Sequence, residues 1–79
     1  MFYVYVLKSV KNSKRYIGST KLKPEERLKR HNSGTNKFTK RNRPFTLIYK
    51  EEYTDNTEAR KREIFLKSGA GRKYLDETI

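Results

Sequence analysis

Cysteine is absent from this 79-residue chain, which excludes disulfides and thiolate metal sites. Histidine occurs once, at His31, so a metal centre built only from imidazoles is excluded as well. Tryptophan is missing and only 33% of the residues are hydrophobic; no apolar run approaches the roughly 20 residues of a membrane span. The apolar opening from Phe2 to Leu7 is too short for a signal segment and has no charged stretch before it. An intracellular, soluble protein is therefore expected, cytoplasmic or associated with the nucleoid. Acidic residues are also scarce, nine against twenty Lys and Arg, leaving a net charge of +11. Such a surface attracts polyanions. Nucleic acid is the leading partner, because neutralising phosphates releases counterions; an anionic membrane is disfavoured, since no continuous amphipathic helix suits it.

Aromatic residues, six Tyr and four Phe, supply much of the available core. Large rings can build a thin core from few residues, and the length leaves room for one domain, residues 1–79. An open surface site is expected rather than a deep pocket. Phe2 to Leu7 reads as a strand, Lys11-Asn12-Ser13 as a turn and Arg15 to Ser19 as a second strand. A hairpin centred near Val10 and Lys11 would set Tyr5 opposite Tyr16 and Tyr3 opposite Gly18. Pro24, followed by Glu25 and Glu26, predicts a helix start, and Asn32-Ser33-Gly34 its end. A basic loop from Thr35 to Arg43 leads into a third strand, Phe45 to Tyr49. Asp55 with Glu58 reads as a capping box opening a helix to about Ser68. Gly69 and Gly71 should break it, leaving a short last helix from Arg72 to Glu77. The order β-β-α-β-α, with a third helix at the end, predicts an α+β fold.

Three features point to chemistry. Arg27 and His31 are four residues apart, on one helix face with little apolar content. A guanidinium can grip phosphoryl oxygens and an imidazole can move protons near neutrality; a solvated basic face is the plainer alternative. Glu63 shares a stripe with Ala59 and Leu66, and a carboxylate on a core-facing stripe needs a cation, either a basic neighbour or a metal. Tyr5 and Tyr16 lie on adjacent predicted strands, as core rings or as phenols able to position a water.

In combination these residues resemble a known family. Tyr3-Val4-Tyr5, Tyr16-Ile17-Gly18, Arg27 with His31, and then Glu63 follow the order of the GIY-YIG nuclease superfamily. The resemblance runs from Phe2 to about Lys73. It is closest in kind to small stand-alone members related to the amino-terminal nuclease domain of the excinuclease C subunit. It implies a three-stranded antiparallel sheet flanked by helices, and catalytic roles for Tyr5, Tyr16, Arg27, His31 and Glu63, with Glu63 the metal ligand. Tyr3 and Val4 replace the glycine and isoleucine of the first motif. The phosphate-contacting Asn that many members carry after the glutamate helix has no counterpart near Leu75, leaving Arg72 or Lys73 to substitute.

The expected activity is endonucleolytic hydrolysis of DNA, with RNA as a further substrate, in repair or recombination. One Mg²⁺ or Mn²⁺ would be held by Glu63, since Mg²⁺ often needs only one or two carboxylates. Lys21, Lys29, Lys37, Lys40, Arg41 and Arg43 are candidate phosphate contacts, with Arg72 and Lys73. A protein partner could supply specificity. The alternative is a catalytically silent DNA- or RNA-binding module on the same scaffold.

Overall fold

The computed structural model describes residues 1–34 and 40–79. Two alternating apolar sets in the first strand organise it. Strand β1 (Phe2–Ser9) pairs antiparallel with β2 (Arg15–Thr20) and with β3 (Phe45–Tyr53), and so forms the centre of a three-stranded sheet ordered β2-β1-β3. Val4, Tyr5, Val6 and Leu7 are all buried, as a central strand covered on both faces requires. Val4 and Val6 pack with Ala59, Leu66 and Leu75 on one face. Tyr5 and Leu7 pack with Phe45, Tyr16 and Leu28 on the other.

Helix α1 (Pro24–Asn32) covers the tyrosine face; α2 (Asn56–Lys67) and α3 (Gly69–Thr78) cover the valine face. The order β-β-α-β-α-α is the predicted α+β fold. α1 has Pro24 in its first turn and acids behind it, and Gly34 leaves the helix at φ 84°. Asn32 then ties the helix end to β3, accepting from Phe45 N at 2.7 Å and donating to its carbonyl.

Three expectations need correction. The hairpin register is displaced by two residues: Tyr5 faces Gly18, Leu7 faces Tyr16 and Tyr3 faces Thr20. The turn is longer than a tight hairpin, with Ser13 at φ 63° and Ser9 Oγ accepting from the backbone of Lys11 and Asn12. An even displacement preserves the faces, so the tyrosines still share one. Second, β3 continues to Tyr53 rather than ending at Tyr49. Its extra length carries Glu51, which accepts from Tyr53 and Arg62 and from the Tyr49 hydroxyl. Burial and this carboxylate push the Tyr53 phenol up to about 12. Third, the second helix ends as expected, but the break falls at Ser68 alone; Gly69 and Gly71 form the first turn of α3, which starts at Gly69 rather than Arg72, and Ser68 caps it by accepting from Gly71 N. A Cβ at Gly71 would lie 2.0 Å from the Phe65 carbonyl oxygen, so its absence allows the sharp α2–α3 approach.

Candidate active site

β1, β2 and α1 meet at a buried polar cluster. Tyr5 is 1% exposed, and its hydroxyl is hydrogen-bonded to His31 Nε2 at 3.1 Å. The Tyr16 ring lies 4.7 Å from the His31 ring and 6.3 Å from the Tyr5 ring, centroid to centroid. Gly18 stands opposite Tyr5, and a Cβ there would come within 2.6 Å of the phenolic oxygen. The glycine therefore makes room for the Tyr5 ring.

The alternative of a solvated basic helix face does not hold for His31, which is 1% exposed. α1 turns this face inward because Leu28 alone cannot cover the tyrosine side of the sheet. Arg27 comes in with it, and its buried Nε has no hydrogen-bond partner among the described residues. Burial pushes the Tyr5 phenol up, opposed by the neighbouring Arg27 guanidinium, while the charge of Glu63 adds to the rise. Burial, reinforced by Arg27, pulls His31 below its ordinary value. Both groups are thus held neutral near pH 7.

Glu63 approaches from the opposite face. Successive strand residues alternate sides, and Ser19, paired with Val4, points toward α2. Ser19 Oγ donates to Glu63 Oε1 at 2.7 Å, and Lys67 Nζ donates to Oε2 at 2.8 Å. Burial raises the Glu63 carboxyl, but the bonds from Lys67 and Ser19 outweigh it and hold the group below the usual carboxylate range. The structure therefore gathers Tyr5, Tyr16, Arg27 and His31 on one face and brings Glu63 to the edge strand from the other.

A cavity of about 870 Å³ wraps this edge. Tyr16 from one face and Ile17 from the other line it, with Lys8, Lys14, Arg15, Lys67 and Arg72 supplying positive charge. Arg15 is partly committed to Asp76 at 2.7 Å.

Residues 1–74 match the GIY-YIG catalytic domain. The chain belongs to the GIY-YIG family. It is similar to the UPF0213 protein of Staphylococcus haemolyticus, 40% identical over 92% of this chain and 88% of the relative. It also resembles those of Staphylococcus saprophyticus (38%, over the same shares) and Clostridium perfringens (40%, over 85% of this chain and 71% of the relative). No solved structure matches it.

The two motif tyrosines of this GIY-YIG domain occupy different settings: Tyr5 is sealed inside, and Tyr16 reaches the cavity. Among the candidate phosphate contacts, Arg72 lines the cavity. Lys29, Lys40, Arg41, Arg43 and Lys73 are exposed outside its lining, and Lys37 lies outside the described residues. Arg43 reaches back to the Asn32 carbonyl at 3.5 Å, and Lys21 sits over the Phe2 ring. Sequence reasoning missed Ser19, Lys67 and the hairpin bases Lys8, Lys14 and Arg15. The four-residue interval from Glu63 to Lys67 was the one available signal. No helix among the described residues is long and apolar enough to cross a membrane.

Proposed function

We propose that this GIY-YIG domain, taken as one unit over residues 1–79, is a divalent-metal-dependent endonuclease that hydrolyses phosphodiester bonds in DNA. The observation that supports this most is the buried Tyr5–His31 pair, with Arg27 beside it and Tyr16 opening onto a basic cavity. A simple binding surface has no need of a neutral imidazole and an unsatisfied guanidinium nitrogen in its interior, where each costs free energy.

Glu63 fits the role of metal ligand by its chemistry. It is ionised, half-buried and already holds a cation, the Lys67 ammonium, at Oε2. With Glu63 as its one protein carboxylate, the ion would be a single one that keeps several waters. Mg²⁺ or Mn²⁺ bound there would supply positive charge to the phosphoryl and leaving oxygens.

The chain's own groups divide the remaining work. Tyr16 touches the substrate side and orients the attacking water. Water oxygen bonds to phosphorus as the bond from phosphorus to the leaving oxygen breaks; the water's proton is relayed by the Tyr16 hydroxyl to the neutral His31 imidazole, and the leaving oxygen takes a proton from solvent. Tyr5 is a positioning residue that holds His31. Arg27 supplies the positive charge of its guanidinium to the phosphoryl oxygens as their charge grows. Arg72 takes the place of the family's phosphate-contacting Asn.

Plasmid nicking with Mn²⁺, Mg²⁺ or EDTA tests this reading. Wild-type protein should nick only with metal. Glu63→Gln should lose on the order of a hundredfold or more in rate while melting as a folded protein. Unchanged nicking by folded Glu63→Gln would remove the acid from the mechanism; metal-independent DNA binding without any nicking would leave a silent binding module.

A further inference from the structure

Lys67 holds two positions at once. Its ammonium bonds Glu63 Oε2 at 2.8 Å, and its side chain forms part of the wall of the 870 Å³ cavity that Tyr16 and Arg72 share. Glu63 is far less accessible, with its side chain 19% exposed against 54% for Lys67. The other carboxylate oxygen is taken by Ser19 Oγ. Any second cation approaching Oε2 therefore meets a positive charge already in place.

We propose that Lys67 is a movable placeholder: it neutralises Glu63 in the free protein and transfers its ammonium to a substrate phosphate when a divalent ion takes the carboxylate. This rests on Glu63 being the metal ligand. Two cations sharing one carboxylate oxygen at contact distance repel strongly, so the ion and the ammonium exclude each other there. The exchange is cheap for Lys67, because its four-carbon stem is flexible and more than half exposed. Its nearest alternative environment is the basic cavity, where an isolated ammonium is disfavoured until a polyanion enters. Substrate thus gives the displaced ammonium a partner and frees the acid. Metal and nucleic acid should then assist each other's binding, a coupling that is reciprocal by linkage.

The roles make predictions of opposite sign for one substitution. Lys67→Met keeps the stem and removes the charge. Binding of Mn²⁺ alone, followed by the loss of the free-ion resonance signal, should become roughly two- to fivefold tighter, the scale of a released exposed ion pair. Binding of a DNA oligonucleotide with a non-hydrolysable backbone should weaken in Mn²⁺, with the slope of log affinity against log salt shallower by about one, and should change far less in EDTA, where Lys67 stays on Glu63. Lys67→Arg should keep the wild-type values of both. Glu63→Gln is the reference that separates the two levels of the argument. If Glu63→Gln binds Mn²⁺ as wild type does, the metal-ligand reading fails first. If Mn²⁺ binding depends on Glu63 but is unchanged or weaker in Lys67→Met, the placeholder is overturned. Tighter Mn²⁺ with unaltered DNA binding overturns the transfer to phosphate.

Discussion

His31 sits one helical turn from Arg27, shielded from water, with the Tyr5 hydroxyl at its Nε2 and the Tyr16 ring against its face. Burial first, and then the Arg27 charge, lower its proton affinity below the ordinary value of 6.5. A depressed folded value means that the unfolded chain binds the proton first as pH falls. The contribution is therefore fully present above about pH 6.5 and is lost progressively toward the folded value. Thermal melts from pH 7.5 down to 5.5 should show a falling Tm in wild type. His31→Gln should flatten that slope. The lowered carboxylates Glu51 and Glu63 act in a separate window, near and below 4.5, so they do not confuse the test. An unaltered slope in His31→Gln would show that the imidazole titrates as it does in the unfolded chain.

Helix α2 orients the metal-ligand candidate, and its rotation is set by neighbours of Glu63 rather than by Glu63 itself. Arg62 Nε bonds Glu51 at 3.0 Å, and its guanidinium lies over the rings of Phe65 and Tyr74 at 5.0 and 4.7 Å. Ala59 and Leu66 face the sheet, both fully buried. With those contacts made, Glu63 is left pointing at the β2 edge and Ser19. The α2–α3 corner fixes the same geometry from below. Gly71→Ala would drive a methyl into the Phe65 carbonyl and the Leu66 backbone, at 2.0 and 2.4 Å, and backbone cannot give as a flexible side chain can. Overpacking of this kind typically costs about 1–3 kcal/mol. Urea unfolding of Gly71→Ala should reveal a loss at the upper end of that range. A loss below about 0.5 kcal/mol would mean that the helices are not closely docked.

Across the whole molecule the excess charge of +11 sets the long-range field, but only some of it lies beside the candidate chemistry. Arg72 lines the cavity and Lys73, the next residue, does not. Oligonucleotide binding measured against salt should therefore separate them: Arg72→Ala should make the log–log slope shallower by about one. Lys73→Ala should leave it unchanged. Equal effects would place the substrate path elsewhere on the basic surface.

The element order was legible in the sequence because local chemistry specifies it: a β-branched and aromatic run for β1, Pro24 with two acids for α1, and Asp55 as the cap of α2. Tyr5, Tyr16, Arg27, His31 and Glu63 stood out as site candidates for a different reason, their joint spacing. The sequence did not reveal the register, which a long turn displaced by two residues, or the continuation of β3, which depends on pairing with β1. Nor did it show that Tyr5 is sealed while Tyr16 is accessible. That difference arises because β1 is central and β2 is an edge, and strand order is decided by contacts between segments far apart in the chain. The Lys67–Glu63 pair needed only helical spacing to be foreseen. Its place at the wall of the cavity required α2, α3 and the β2 edge to meet.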